Sequence, residues 1–334
     1  MDRLDNSFIP TIWTIILNWN GYRDTLECLE SCLSTSIPNH ILIVDNGSTD
    51  RSVDMLSQTF PHIPLIVNRE NLGYAEGNNV GIEYALDRGA DYIFVLNNDS
   101  LIDRDIFCHF LAAFKTYPQA AILGSTVYSY HNRSYLDHLG GNWNSHTGTF
   151  DLVGKYARAD QEEWSVARQL DYVCGVALFA KADVFRKVGR FESRFFLFWE
   201  ESDFCFRALR QGYASYVCPQ AKVWHKGSAS FIGGKPHVTY FWWRGRLLWI
   251  ERNCLKKERI QLTCRVLIPE GMRLIKLYLI KQVEFFLITL FRIKKKREEK
   301  KKRLRNYRAA LSGMKDYLFG RFGSGPNWIF RKGA

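Results

Sequence analysis

The chain has no CxxC pair, no uncharged apolar run of the ~18 residues that a membrane-crossing helix needs, and no internal repeat. It also lacks GxGxxG and Walker A strings, which removes support for dinucleotide-binding and P-loop readings. Its eight cysteines, Cys28, Cys32, Cys108, Cys174, Cys205, Cys218, Cys254 and Cys264, are scattered, most of them among apolar residues. That is the habit of free buried thiols and predicts a reducing, cytoplasmic setting. Met1 to Pro10 is polar and mixed, so no secretory signal is expected there. What the chain does have is length and apolar mass: 334 residues, 46% hydrophobic and 15% aromatic, enough for one large domain or two smaller ones. Its net charge of +12 is concentrated, since residues 292–308 hold eleven basic and two acidic side chains. The basic character therefore belongs to a tail rather than to the body.

The organising stretch is Tyr92 to Leu101, YIFVLNNDSL, five apolar or aromatic residues followed by Asn97-Asn98-Asp99-Ser100. A short apolar run closed by turn formers reads as a buried parallel strand. Thr11–Leu17, His40–Val44 and Leu65–Val67 read the same way. Helices are expected between them, one capped by Asp24, one from near Asp50, and one over Ala75–Arg88. Four strand–helix alternations argue for an α/β fold with a mainly parallel sheet. Right-handed crossovers put the strands' carboxyl ends on one edge, where ligands bind in such sheets. Asn18, Asp45, Asn71 and Asp99 should then converge on one crevice. Asp45 would accept hydrogen bonds from a base or ribose, or simply close an Asn-Gly turn. The run Asn71 to Gly81, with three glycines including Gly73, and three asparagines including Asn79, would let backbone approach a ligand. Further on, a helix over Ile106–Tyr117, a strand over Ala120–Val127, strand-like segments around Gly175 and a helix over Ala182–Val188 are expected. A helix over Asp203–Gln211 and a strand pair around Pro219 follow, and long helices from Tyr240. Residues 129–168 give no clear pattern.

The strings VDNGSTD, NLGYAEGNNVGI, VLNNDS and FWEESDFCFRALRQGY, in that order, resemble glycosyltransferase family 2, and in particular the bacterial rhamnosyltransferases of surface polysaccharide synthesis. The likeness covers about Thr11 to Ser228. It implies a GT-A fold, a nucleotide-sugar donor (a dTDP- or UDP-sugar), a divalent metal (Mg²⁺ or Mn²⁺) and inversion at the anomeric carbon. Carried over by position, Asn18 and Asp45 match nucleoside contacts, with Asn71, Gly73, Asn97 and Asn98 on the same nucleotide side; Asn79 matches a polar residue near the donor. Asp99 matches the last carboxylate of a DxD motif whose first position is Asn97 here, leaving more coordination to pyrophosphate and water. His225 matches a histidine that is a further metal ligand in some members, although a lone histidine also serves as a structural residue; as a ligand it would favour Mn²⁺. Glu201 matches the catalytic base, where Asp is commoner, with Glu200 as competitor and Asp203 as a third carboxylate. Inversion needs such a carboxylate opposite the leaving group, taking the proton from the attacking hydroxyl. Trp199 would wall the sugar, and Cys174-Gly175 resembles a segment beside the acceptor.

The expected organisation is a catalytic domain over 1–236, with a nucleotide-sugar half to about 128 and an acceptor half after it, then a helical, basic region over 237–334. Ile268–Phe291 reads as amphipathic and precedes the basic run Arg292–Arg308, a combination suited to an anionic membrane surface or to packing on the catalytic domain. A lipid-linked or polysaccharide acceptor and a peripheral place on the cytoplasmic face of the inner membrane fit the family. No nucleic-acid motif accompanies the basic run. The rival readings are a nucleotidyltransferase and a non-catalytic sugar-nucleotide-binding protein. The sequence leaves the donor sugar, linkage and oligomeric state open.

Overall fold

The structure is a computed structural model that describes residues 10–227, 235–291 and 294–330, with the side chains of 294–297 outside the described set. Met1 to Ile9 of the polar start, Ser228 at the end of the matched stretch, and Arg292 at the head of the basic run lie outside the described residues. The chain divides into two compact units. The first comprises Met1–Asn142, Leu152–Phe191 and Phe204–Lys226; the second comprises Trp143–Asp151, Glu192–Asp203 and Gly227–Ala334.

The first unit begins with β1 (Ile12–Asn18), α1 (Tyr22–Leu33), β2 (His40–Asp45), α2 (Ser52–Thr59), β3 (Leu65–Val67), α3 (Gly73–Asp87) and β4 (Tyr92–Asn97). β5 (Ser100–Ile102), α4 (Ile106–Thr116) and β6 (Ala120–Ser129) follow. The hairpin β7 (Gly140–Asn144) and β8 (Thr149–Val153) comes next, its tip belonging to the second unit. β9 (Arg168–Leu170), β10 (Tyr172–Val173), β11 (Ala177–Lys181), α5 (Ala182–Val188), α6 (Glu200–Leu209) and β12 (Ala214–His225) complete this part of the chain. The main sheet runs β3-β2-β1-β4-β11-β6-β12-β5, with β9 paired to β12. β3, β2, β1 and β4 are mutually parallel, and β6 and β12 are parallel; β11 runs antiparallel to both of its neighbours.

Helices cover both faces of β1, and its alternation shows why Ile12 to Leu17 is apolar except at Thr14. Ile12 and Ile16 enter one core with Phe94, Phe107, Phe110 and Phe179, where Phe110 stacks on Phe179 at 4.6 Å. Trp13, Ile15 and Leu17 face α3. There, a Cβ on Gly77 would come within 2.7 Å of Leu17 and one on Gly81 within 2.4 Å of Ile15. The glycines of that run thus serve close packing of α3 on the sheet, not an approach of backbone to ligand at these two positions.

Three local expectations are corrected. The strand pair around Pro219 is one twelve-residue strand, β12, with the register shift between Cys218 and Lys222 absorbing the proline. Gly21 precedes α1, and Asp24 sits in its first turn without capping it. Asp24 instead accepts from Lys226 Nζ at 2.7 Å. The helix expected from Asp203 starts at Glu200, which places both glutamates in its acidic first turn.

The second unit is built on α7 (Pro236–Asn253), α8 (Lys256–Leu262), a π turn over Thr263–Leu267, α9 (Ile268–Leu290) and α10 (Lys294–Leu318). α7 is buried nearly all round, including Arg244 and Arg246 at 1% exposure each. Both guanidinium groups are spent on partners: Arg244 donates to Gly323 O at 2.7 Å, and Arg246 to Gly148 O at 2.9 Å, Thr147 O at 2.6 Å and Glu270 at 2.6 Å. α10 crosses α7 closely, a Cβ on Gly313 falling 2.3 Å from Tyr240 O. Among the described residues, no helix is long and apolar enough to cross a membrane.

Candidate active site

In the first unit, three parallel strands end side by side. Asn18 pairs in register with Asp45, and Leu17 with Asn97. Polar side chains knit that edge together. Asn18 Nδ2 donates to Asp45 Oδ2 at 2.7 Å, and Asn18 Oδ1 accepts from Thr25 Oγ1 at 2.8 Å. Asn98 Nδ2 donates to Thr25 Oγ1 at 2.9 Å, which extends the chain of bonds to the residue before Asp99. Asp45 is fully buried; its other acceptor positions are taken by Ser48 N at 2.9 Å and Ser48 Oγ at 2.7 Å. Asn46 Nδ2 donates to Asn71 Oδ1 at 3.0 Å, and Gly73 N donates to the same oxygen at 2.8 Å. The amides therefore fix the loops after β1 and β2, and Asn18 and Asp45 act from inside them. Asn79 lies elsewhere in this unit: its amide clamps the Phe191 backbone, donating to Phe191 O at 2.9 Å and accepting from Phe191 N at 3.0 Å. Cys174 is buried with Sγ 3.8 Å from His138 Nδ1, and Gly175 O accepts from Tyr74 OH at 2.8 Å.

The chemistry of this edge centres on Asp99 and His225, far apart in the chain and adjacent in space. β5 starts directly after Asp99 and runs antiparallel to β12, so that His225 opposes Ser100. His225 Nε2 lies 3.2 Å from Asp99 Oδ1, and His225 Nδ1 lies 2.7 Å from Asp137 Oδ2. Burial pushes the imidazole pKa down, but hydrogen bonds and charge from Asp137 and Asp99 overcome it and raise it to about 10. Burial likewise opposes ionisation of Asp137, yet its bonds to His138 and His225 hold its carboxyl well below the usual range. A positive ring thus sits between two carboxylates. Asp137 was not singled out from the sequence, because it falls in the patternless stretch 129–168. An acidic residue next to His138 there was the only signal.

Asp99 Oδ2 and Asn97 Oδ1 are buried without a hydrogen-bond partner, an arrangement that costs free energy unless a ligand completes it. Once the imidazole gives up its proton to an incoming metal, a carboxylate oxygen with a ring nitrogen beside it suits a divalent cation such as Mn²⁺ or Mg²⁺ that also takes phosphate oxygens. Among the described residues, no group of three or more His, Cys, Asp or Glu side chains is arranged to hold a metal ion.

In the second unit, the segment before α6 is strained. Phe196, Phe198 and Trp199 have φ of 62°, 67° and 76°, a left-handed conformation that L-residues avoid. Trp199 was expected to wall the sugar; it is buried, packed on Phe150, Trp242 and Trp249 with ring centroids 5.7 to 6.2 Å away. A Cβ on Gly245 would come within 2.6 Å of its indole, so this glycine makes room for the ring. The indole is a strut beneath the acidic turn.

The three carboxylates of that turn have different surroundings. Asp203 is fully buried and bound by Arg252 Nε at 2.8 Å and Asn253 Nδ2 at 2.9 Å. Glu200 is buried, and its carboxyl is pushed well above the usual range by that burial and by the charges of Glu201 and Asp203. Glu201 is partly open to solvent.

Comparisons with known proteins bear on this arrangement. A glycosyl transferase family 2 model matches residues 13–169, and a glycosyl transferase family group 2 model matches residues 92–252. The N-acetylglucosaminyl-diphospho-decaprenol L-rhamnosyltransferase of Mycobacterium tuberculosis is 27% identical over 254 residues, covering 67% of this chain and 83% of that protein. The dTDP-rhamnosyl transferase RfbF of Shigella flexneri is 23% identical over 214 residues, covering 64% of this chain and 68% of that protein. Among solved structures, the Pyrobaculum calidifontis mannosyltransferase in complex with GDP-Man and Mn²⁺ aligns with a TM-score of 0.55 at 12% identity, over 94% of this chain and 89% of that one.

Proposed function

The chain belongs to glycosyltransferase family 2, and from that premise we propose that it moves a sugar, with inversion, from a nucleotide donor to a hydroxyl of a lipid-linked or polysaccharide acceptor in the synthesis of a bacterial surface glycan. Rhamnose from dTDP-rhamnose is the donor that the rhamnosyltransferase relatives favour. The observation that supports the reading most is the buried, unpartnered oxygen of Asp99 beside His225 at the carboxyl edge of the sheet.

Asp99 and His225 would hold the divalent cation, whose charge, when bound, offsets that of the departing diphosphate. Asp137 keeps the imidazole oriented. Asn18, Asp45, Asn71, Gly73 and Asn98 hold the nucleotide end by fixing the loops that meet it, and Asn97 offers its free amide oxygen at the same edge. Glu201 is the base. Of the three carboxylates, Asp203 is tied to Arg252 and Glu200 is buried with its carboxyl pushed up, while Glu201 is the one partly open to solvent and is assigned the acceptor's proton. Cys174 and Gly175 lie on the acceptor side. The chain works on the cytoplasmic face of the inner membrane as a peripheral protein.

Thermal-shift screening of nucleotide sugars with and without Mn²⁺, followed by product analysis on the stabilising donor, tests this. Release of a nucleoside diphosphate with transfer of the sugar supports it. Release of pyrophosphate would instead mean a nucleotidyltransferase, and binding without turnover a non-catalytic binder.

A further inference from the structure

The second unit leaves one long apolar face open. On α9, Met272, Ile275, Leu279, Val283, Phe286 and Leu290 are each 50–65% exposed, far above what a helix packed into a core would show. They recur at steps of three and four residues and form one stripe along the helix. The stripe stays on one side over five turns, whereas the heptad seam of a left-handed coiled coil would drift by ~20° per heptad on a straight helix. The opposite side of α9 packs on α10: Glu284 is bound by Lys281 at 2.7 Å and by Lys300. Glu270, the other carboxylate of α9, is bound by Arg246 at 2.6 Å. Both acidic side chains of α9 are thus neutralised within the unit, while Arg273 and Lys276 on α9 and Arg265 in the π turn before it are exposed, Lys276 next to the stripe.

We infer that this face of α9 docks on an anionic lipid bilayer with the helix axis in the plane of the membrane. The charge pattern selects the occupant. A second copy packed isologously would set these exposed cations against their own kind, whereas an anionic headgroup layer matches them. The helix is about 35 Å long at 1.5 Å per residue, but the charges at Arg273, Lys276, Lys281 and Glu284 forbid insertion across the hydrocarbon. An in-plane helix buries its apolar side to ~5–10 Å and keeps its cations at the headgroups. The inference rests on the proposed lipid-linked acceptor for its purpose, since it brings the enzyme to the surface where such an acceptor resides. The docking itself is read from α9 alone.

The test is co-sedimentation of the full chain with phosphatidylcholine vesicles, with and without phosphatidylglycerol, in the absence of donor and acceptor. The wild type should partition onto the anionic vesicles, and Leu279→Gln/Phe286→Gln should bind at least ~10-fold more weakly. Arg273→Glu/Lys276→Glu should lose roughly fivefold per charge on anionic vesicles and nothing on neutral ones. Hydrogen exchange of the wild type with and without vesicles gives a readout independent of any variant, with slowed exchange expected over 268–290. Wild type that stays in the supernatant, a Leu279→Gln/Phe286→Gln variant that binds undiminished, or a dimer in light scattering that this variant dissolves would each overturn the proposal. Transfer to a detergent-solubilised acceptor is assayed separately, so loss of docking and absence of glycosyltransfer are told apart.

Discussion

Replacing each carboxylate at the start of α6 by its amide should give three different outcomes. Glu201→Gln removes the base and keeps the shape. General-base catalysis contributes about 10²–10⁴-fold, or about 3–5 kcal/mol of barrier at 1.36 kcal/mol per decade, so kcat should fall by that factor while calorimetric donor binding is unchanged. Burial and its two acidic neighbours push the Glu200 carboxyl up, toward the neutral form. Glu200→Gln mimics that neutral form, and kcat at neutral pH should stay within about threefold because no proton transfer is lost. The difference appears at alkaline pH. In the wild type a second negative charge develops beside Glu201 once Glu200 ionises; the amide cannot ionise, so that limb of the kcat/KM profile should flatten. Asp203→Asn leaves Arg252 without its buried counter-charge. Breaking such a pair costs about 3–5 kcal/mol, and the lower end is expected because Arg252 keeps Glu192 at 2.6 Å. Urea melts read that loss. If Glu200→Gln were as inactive as Glu201→Gln at neutral pH with donor binding intact, the assignment of the base from burial would be wrong.

Asp99→Ala should abolish the Mn²⁺-dependent part of donor binding in calorimetry and leave the metal-free part; an unchanged metal-dependent increment would refute its role. Asp137→Asn should weaken Mn²⁺ binding by about 10–100-fold, read by paramagnetic resonance of free Mn²⁺, and equal affinities would make Asp137 merely structural. Glu192 is pulled down to about 2, chiefly by hydrogen bonds from Arg194 against the opposing effect of burial, with the charge of Arg252 adding to it. A carboxylate whose folded pKa is lowered stabilises above its unfolded value of about 4.3 and loses that contribution as pH falls. Acid unfolding should therefore steepen between that value and about 2, and Glu192→Gln should remove the steepening. Gly81→Ala places a Cβ 2.4 Å from Ile15 and should destabilise by about 1–3 kcal/mol in denaturant melts.

The alternation of strand and helix up to Asn98 was legible because the inner strands β1, β2 and β4 are buried on both faces and read as nearly unbroken apolar runs. The carboxyl ends of these strands could be brought to one edge from that pattern alone, and the structure pairs Asn18 with Asp45 and Leu17 with Asn97. The glycines of α3 carried two possible meanings, ligand approach or close packing, and sequence cannot separate them because a missing Cβ looks the same in both. Pro219 suggested a break, yet a register shift in β12 lets the strand continue past it. Asp137 was invisible for a different reason. It reaches His225 only through strand pairing between distant parts of the chain, and the adjacent His138 is all that marks it locally. The burial of Trp199 likewise depends on a glycine on α7, 46 positions further on.

The left-handed backbone of Phe196, Phe198 and Trp199 has a practical corollary for anyone who improves this enzyme. Unfavourable dihedrals of this kind cost about 1–3 kcal/mol each, and surrounding rings keep them in place. Glycine adopts positive φ freely, but at buried Phe196 and Trp199 it would also delete a packed ring, and the cavity costs about 3–5 kcal/mol. That outweighs the relief, so a screen that rewards heat resistance should keep both aromatics, and the strain stays with them.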